Sequence, residues 1–114
     1  MAQSVCWTPI SGGVTAPSGF QAAGITAGLK ASGKPDFSLL LAPEGAVCAG
    51  TFTTSVVRAA CVDLCAQRLA EAGGQARAVV TNSGQANACT GDRGLIDSLR
   101  ATQAVADRLG LAPE

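Results

Sequence analysis

Residues 77–110, RAVVTNSGQANACTGDRGLIDSLRATQAVADRLG, decide the fold. Residues 77–81 are a short run rich in β-branched side chains, which predicts a strand. Asn82, Ser83 and Gly84 end it with residue types that favour a tight turn. A helix is predicted over residues 92–109. Its apolar positions Leu95, Leu99, Val105, Ala106 and Leu109 cover one side, Asp92 stands at the positive end of its dipole, and Gly110 with Pro113 stops it. A strand, a polar turn and a helix in succession put the chain in the α/β (α+β) class.

Working back toward the N-terminus, Cys61, Val62, Cys65 and Leu69 recur at helical spacing, with Asp63, Gln67, Arg68 and Glu71 on the other faces. This predicts a helix over residues 59–72, stopped by Gly73-Gly74. Residues 1–58 carry eight glycines and four prolines between short alternating apolar runs, so this half reads as β-rich. Strands are predicted over 20–27, 37–42 and 47–53, separated by the turns ASGKPD and Pro43-Glu44-Gly45, as a three-stranded meander. Gly24 and Gly28 are read as points of close backbone approach. The sheet is expected to stack on another sheet, with the two helices over an outer face.

A length of 114 residues allows one small domain or a part of one, here taken as a single partial domain over residues 1–114. Alanine occurs 22 times and aromatic residues four times, so the apolar fraction is made of small side chains and the core is expected to be thin. Apolar surface in need of a partner follows, with marginal stability for the chain alone. Eight basic against eight acidic residues leave no positive surplus for a nucleic-acid backbone or an anionic membrane. The N-terminus has no basic stretch leading into an apolar one, and the strongest apolar run, residues 39–41, is far too short to span a bilayer. Five cysteines, Cys6, Cys48, Cys61, Cys65 and Cys89, form no paired framework and read as reduced, mostly buried thiols of a cytoplasmic protein.

Histidine and tyrosine are absent, which removes Ser-His-Asp and Cys-His arrangements and histidine metal sites. Cys61 and Cys65 lack C-x-x-C spacing, so no metal site is expected. Ser32 between Lys30 and Lys34 has the residue types of a Ser-Lys pair, but Gly33 and Pro35 explain the same stretch as turn punctuation. The hydroxyl-rich stretch GTFTTS, residues 50–55, is explained by the β-propensity of threonine. The most unusual composition is residues 79–91, VVTNSGQANACTG, which holds both asparagines of the chain, Asn82 and Asn87. Two readings of it stand. Asn82, Ser83, Gly84, Asn87 and Thr90 could present backbone N–H groups and amides as a cradle for a carboxylate or oxyanion. The same residue types also serve turns and helix caps through local hydrogen bonds.

Four stretches in order, GVTAPSGF (13–20), AAGITAGLK (22–30), GTFTTS (50–55) and TNSGQANACTG (81–91), resemble the successive signatures of the glutamate N-acetyltransferase family, also called the ornithine acetyltransferase family of arginine biosynthesis. The resemblance runs from about residue 12 to residue 109. Cys61 departs from it where proline is common, and Ser18 where a basic residue is frequent.

The resemblance implies a layered αββα fold of the DmpA/ornithine acetyltransferase type and a precursor that cleaves itself into α and β chains. It implies acetyl transfer from N-acetylornithine to glutamate through an N-terminal threonine, whose α-amine serves as base in a protein without histidine. Some members also take acetyl-CoA as donor, and no cofactor is implied. The family's nucleophile and oxyanion Thr-Gly pair match nothing up to Glu114, and Thr53, Thr54, Thr81 and Thr90 are internal, with blocked amines. The chain is therefore expected to be a partial α chain, inactive alone. Its expected partners are the rest of the α chain and the β chain, in a heterotetramer. Asn82, Ser83, Gly84, Asn87 and Thr90 would support the pocket from behind. A non-catalytic ligand-binding module of the same fold and a related self-processing aminopeptidase are the alternatives.

Overall fold

The computed structural model describes residues 6–112, so the expected helix stop at Pro113 and the position Glu114 lie outside the described residues. The elements follow in the order β1 (Gln21–Ile25), β2 (Phe37–Leu41), α1 (Ala60–Glu71), β3 (Ala78–Asn82) and α2 (Gly91–Leu109), after a short 3-10 turn at Gly13–Thr15. The sheet is antiparallel with β2 in the middle: Ala23 faces Leu39 on one side, and Leu39 faces Val80 on the other.

The third strand of the sheet is thus β3, and the strand expected over 47–53 is not formed. Val47 makes an isolated bridge with Gln75, and residues 49–55 run as irregular chain. The free edge of β2 can accept one neighbour, and β3, built around the β-branched run Val79-Val80-Thr81, occupies it through five residue pairs. Threonine-rich sequence alone does not make a strand without a partner. Among the described residues there is one sheet, so a second sheet stacked on it is not part of them.

Both helices form where their periodicity places them. α1 is capped by Ala72, and the Gly74 N–H donates back to the Leu69 carbonyl at 2.9 Å, with Gly73 and Gly74 at φ +61° and +81°. α2 ends on Gly110 at φ +65°, a left-handed cap that glycine adopts without a Cβ penalty. The helices pack on each other, and the Arg68 guanidinium of α1 donates to the Thr102 hydroxyl of α2 at 2.9 Å.

The core is small. Among the described residues Leu64 and Ala106 are the buried apolar side chains, each 7% exposed, whereas Val47, Val56 and Val57 stand largely in solvent. Leu64 was not among the periodic positions read from the sequence, and it is the residue that α1 buries most deeply. The thiols are also not where they were expected: Cys6, Cys65 and Cys89 are exposed, Cys48 and Cys61 half-buried, and all five are free. Gly24 and Gly28 are not points of close approach either. A Cβ on Gly24 would meet the Phe37 carbonyl oxygen at an ordinary 3.9 Å, and Gly28 faces open space but holds φ +87° in the β1–β2 loop.

Candidate functional site

The polar stretch after β3 becomes a loop held at both ends. At its start Asn82, the last residue of β3, pairs with Phe37, and the Ser83 N–H donates to the Asp36 carbonyl at 2.8 Å. Gly84 follows at φ +99° against the backbone of Leu29 and Lys30, where a Cβ would lie 3.2 Å from the Lys30 nitrogen. At its far end Ala88 bridges to Ala59, and the Cys89 N–H donates to the Arg58 carbonyl at 3.3 Å. Cys89 itself has φ +57°, a conformation that costs a residue with a Cβ. Arg58 is fixed in turn by Asp63 at 2.7 Å and by the Ser55 carbonyl at 2.8 Å.

Within the loop the Thr90 hydroxyl donates to the Asn87 carbonyl at 2.9 Å. Thr90 is the N-cap of α2, yet its side chain makes no capping bond to the helix, so its hydroxyl serves the loop. The lack of a side chain at Gly94 leaves the space that the Thr90 side chain fills: a Cβ on Gly94 would overlap the Thr90 hydroxyl and come within 2.9 Å of its Cβ. Asn87 is half-buried, while Asn82, Ser83, Gly84 and Thr90 are exposed. The five residues singled out from the sequence therefore share one loop in two groups, Asn82-Ser83-Gly84 at the β2 end and Asn87 with Thr90 at the α2 end. The N–H groups of Ser83 and Cys89 are spent on mounting the loop rather than turned toward an anion.

The residue that sequence reasoning missed is Asp36. It is 3% exposed and lies just before β2. Its carboxylate accepts from the N–H of Ala27 and of Leu29 at 2.6 Å each and from that of Lys30 at 2.8 Å. The Lys30 N–H above all, then that of Ala27, holds this carboxyl below the usual carboxylate range, against the opposing effect of burial. In the sequence Asp36 closes ASGKPD, where aspartate is an ordinary turn residue, and the usable signal was its place directly before a strand after a glycine-containing loop.

Lys30 and Ser32 do not form a nucleophile pair. The Lys30 ammonium donates to the Pro35 carbonyl at 3.0 Å, and Ser32 is exposed in the turn. Among the described residues no group of three or more Cys, Asp or Glu side chains is placed to hold a metal ion, and no helix is long and apolar enough to cross a membrane. A shallow, mostly apolar hollow of about 250 Å³ lies beside β2 and β3, lined by Phe20, Leu40, Val47, Cys48 and Val79 among others. It is separate from the polar residues of the loop.

The ArgJ family model matches residues 21–114. The chain is 79% identical over 108 residues to the arginine biosynthesis bifunctional protein ArgJ of Parasynechococcus marenigrum, covering 95% of this chain and 26% of that protein. It is 56% identical over 108 residues to the protein of the same name from Synechocystis, with 95% and 26% covered. Among solved structures it is similar to the ornithine acetyltransferase of Mycobacterium tuberculosis, crystallised with ornithine: 46% identity, TM-score 0.77, covering 85% of this chain and 50% of that one. It is also similar to the arginine biosynthesis bifunctional protein argJ of Bacillus halodurans, at 34% identity and TM-score 0.82, covering 90% and 52%. The chain spans about a quarter of the length of the curated relatives it matches. With the family's signature stretches, its fold and its sequence shared at this level, the chain belongs to the ArgJ family.

Proposed function

We propose that this chain is the N-terminal part of an enzyme that moves an acetyl group from N-acetyl-L-ornithine to L-glutamate in arginine biosynthesis. The observation that carries this reading is the 46% identity and TM-score of 0.77 to an ornithine acetyltransferase crystallised with ornithine. In the proposed reaction a threonine hydroxyl outside these residues attacks the acetyl carbonyl, its proton passing to the threonine's own α-amine, and ornithine leaves as the amine. The amino group of glutamate then attacks the acetyl-threonine ester, giving N-acetylglutamate and restoring the hydroxyl. No cofactor enters these steps, and acetyl-CoA would serve as an alternative donor.

The internal threonines of this chain cannot take that role, because each has its nitrogen in a peptide bond and no free amine beside its hydroxyl. The chain's share is scaffolding: the loop from Asn82 to Thr90 backs the pocket, and the rest of an α chain and a β chain complete a cytoplasmic heterotetramer. A chimera tests this directly. Residues 1–114 are put in place of the matched quarter of the Parasynechococcus marenigrum protein, and transfer of labelled acetyl from N-acetylornithine to glutamate is followed. Transfer at a rate comparable to that of the parent protein supports the reading. A soluble chimera that hydrolyses acetylornithine without acetylating glutamate would replace it with a hydrolase.

A further inference from the structure

The two mounts of the polar loop differ in kind. At the α2 end it is held by backbone pairing with residues 58 and 59. At the β2 end backbone pairing, Asn82 with Phe37 and the Ser83 N–H on the Asp36 carbonyl, is joined by a side chain, the Asp36 carboxylate. Asp36 donates its own N–H to the Ile25 carbonyl at 3.1 Å and accepts the Ser83 N–H on its own carbonyl, so it closes the β1–β2 loop and starts the polar loop at the same residue. Its carboxylate gathers three N–H groups that no neutral side chain of that size could satisfy together. An amide in its place would turn its NH2 toward donors. The backbone drawn in this way, at Leu29 and Lys30, is the surface on which Gly84 sits, so closely that a Cβ there would lie 3.2 Å from one backbone atom and 3.3 Å from another. The main chain of Asp36 thus holds Ser83, and its carboxylate holds the backbone against which Gly84 sits.

We infer that Asp36 is a positioning residue for acetyl transfer: by shaping residues 27–30 it sets the seat of Gly84 and with it the polar loop of residues 82–90. The inference rests on the reading that this loop backs the acetyl-transfer pocket. The test uses the chimera with Asp36→Asn, hydrogen exchange followed in peptides covering residues 26–31 and 81–86, and steady-state kinetics. Exchange in both peptides should rise about tenfold or more, as expected when charge-assisted hydrogen bonds are lost, while peptides from α1 and α2 stay unchanged. The kcat should fall about tenfold with little change in KM, the pattern of a lost transition-state interaction rather than of lost folded protein.

Faster exchange confined to residues 26–31, or faster exchange spread evenly over the whole segment, overturns the inference. So does altered exchange in both peptides with unchanged kcat. Gly84→Ala provides a second route if Asp36→Asn fails to fold. It leaves the carboxylate in place but presses a methyl group on Lys30, 2.6 Å from its Cγ and 3.2 Å from its nitrogen, and should speed exchange at residues 26–31 and lower kcat in the same way; unchanged exchange there refutes the coupling. An inactive parent chimera would count against acetyl transfer, whereas the exchange at residues 81–86 would still decide whether Asp36 sets the loop.

Discussion

Replacing Leu64 by alanine is the most direct test of how little core this chain has. The accessible surface is 8602 Å², whereas a compact monomer of 11.3 kDa exposes about 5,700 Å². The difference, about 2,900 Å², exceeds one partner's share of a standard protein interface, roughly 800 Å², more than threefold. The radius of gyration, 16.3 Å, likewise lies above the roughly 13 Å of a compact domain of this length. Against so small a reserve one buried leucine is a large fraction. Leucine-to-alanine changes in closed cores cost about 2–5 kcal/mol, and Leu64 belongs at the lower end because the rest of α1 is half-buried or exposed and can settle into the space. At about 2 kcal/mol, and 4–8 °C per kcal/mol for a domain of this size, the midpoint should drop by roughly 8–16 °C. Thermal melts by circular dichroism, with dye binding to report exposed apolar surface, measure this. Val56→Ala, at a side chain 92% exposed, is the control and should leave the melt in place. A parent melt that is sharp, free of dye binding and above about 60 °C would refute the thin-core argument, as would a Leu64→Ala midpoint within about 2 °C of the parent.

Two further outcomes follow from the titrating groups. The Asp36 carboxyl is held below the ordinary aspartate range, so its contribution to stability is present above the pH at which a free aspartate titrates and is lost as pH falls through the lowered folded value; Asp36→Asn should flatten the acid limb of a plot of melting midpoint against pH, and parallel limbs would contradict the clamp. Cys65 is exposed at the surface of α1, yet partial desolvation, with Cys61 and Cys48 close by, pushes its thiol up against the opposing pull of Arg68, so iodoacetamide at pH 8 should label it more slowly than Cys6, which is also exposed, as read by peptide mass spectrometry; equal rates would contradict this.

Five elements of the fold were legible because each carries a local signal. β-branched runs gave β3, alternation bounded by turns gave β1 and β2, and period-3.6 spacing with glycine stops gave α1 and α2 within one or two residues. What failed was pairing. The stretch over 47–53 has the β-propensity of a strand, but the place beside β2 goes to β3, which begins 25 residues after that stretch ends, and no local property of GTFTTS records that competition. Burial failed for the same reason. Cysteine is usually an inside residue, yet Cys65 lies on the surface of a helix whose deepest contact, Leu64, is its immediate neighbour. Gly28 was recognised as special for the wrong reason, since a tight approach and a positive φ leave the same letter in a sequence.

The candidate loop was legible through concentration: both asparagines and much of the hydroxyl and glycine content around them fall within a few residues, and the structure keeps them on one loop. Its support was not legible. Asp36 lies 46 residues before Asn82, and what ties the two is a carboxylate satisfied by residues 27–30 together with a carbonyl that receives Ser83. The irregular stretch over 50–57 and the large exposed area have a common origin in this arrangement. β-prone and apolar groups such as Phe52, Val56 and Val57 are not consumed by the chain's own sheet or helix pair, whose interior is filled by Leu64, Ala106 and half-buried neighbours. Order in the polar loop therefore cannot come from a deep core beneath it. It comes from hydrogen bonds at its two mounts, and one of these is charged, nearly excluded from solvent and made to three backbone donors, which is where a small domain with little apolar mass can still hold a backbone in one path.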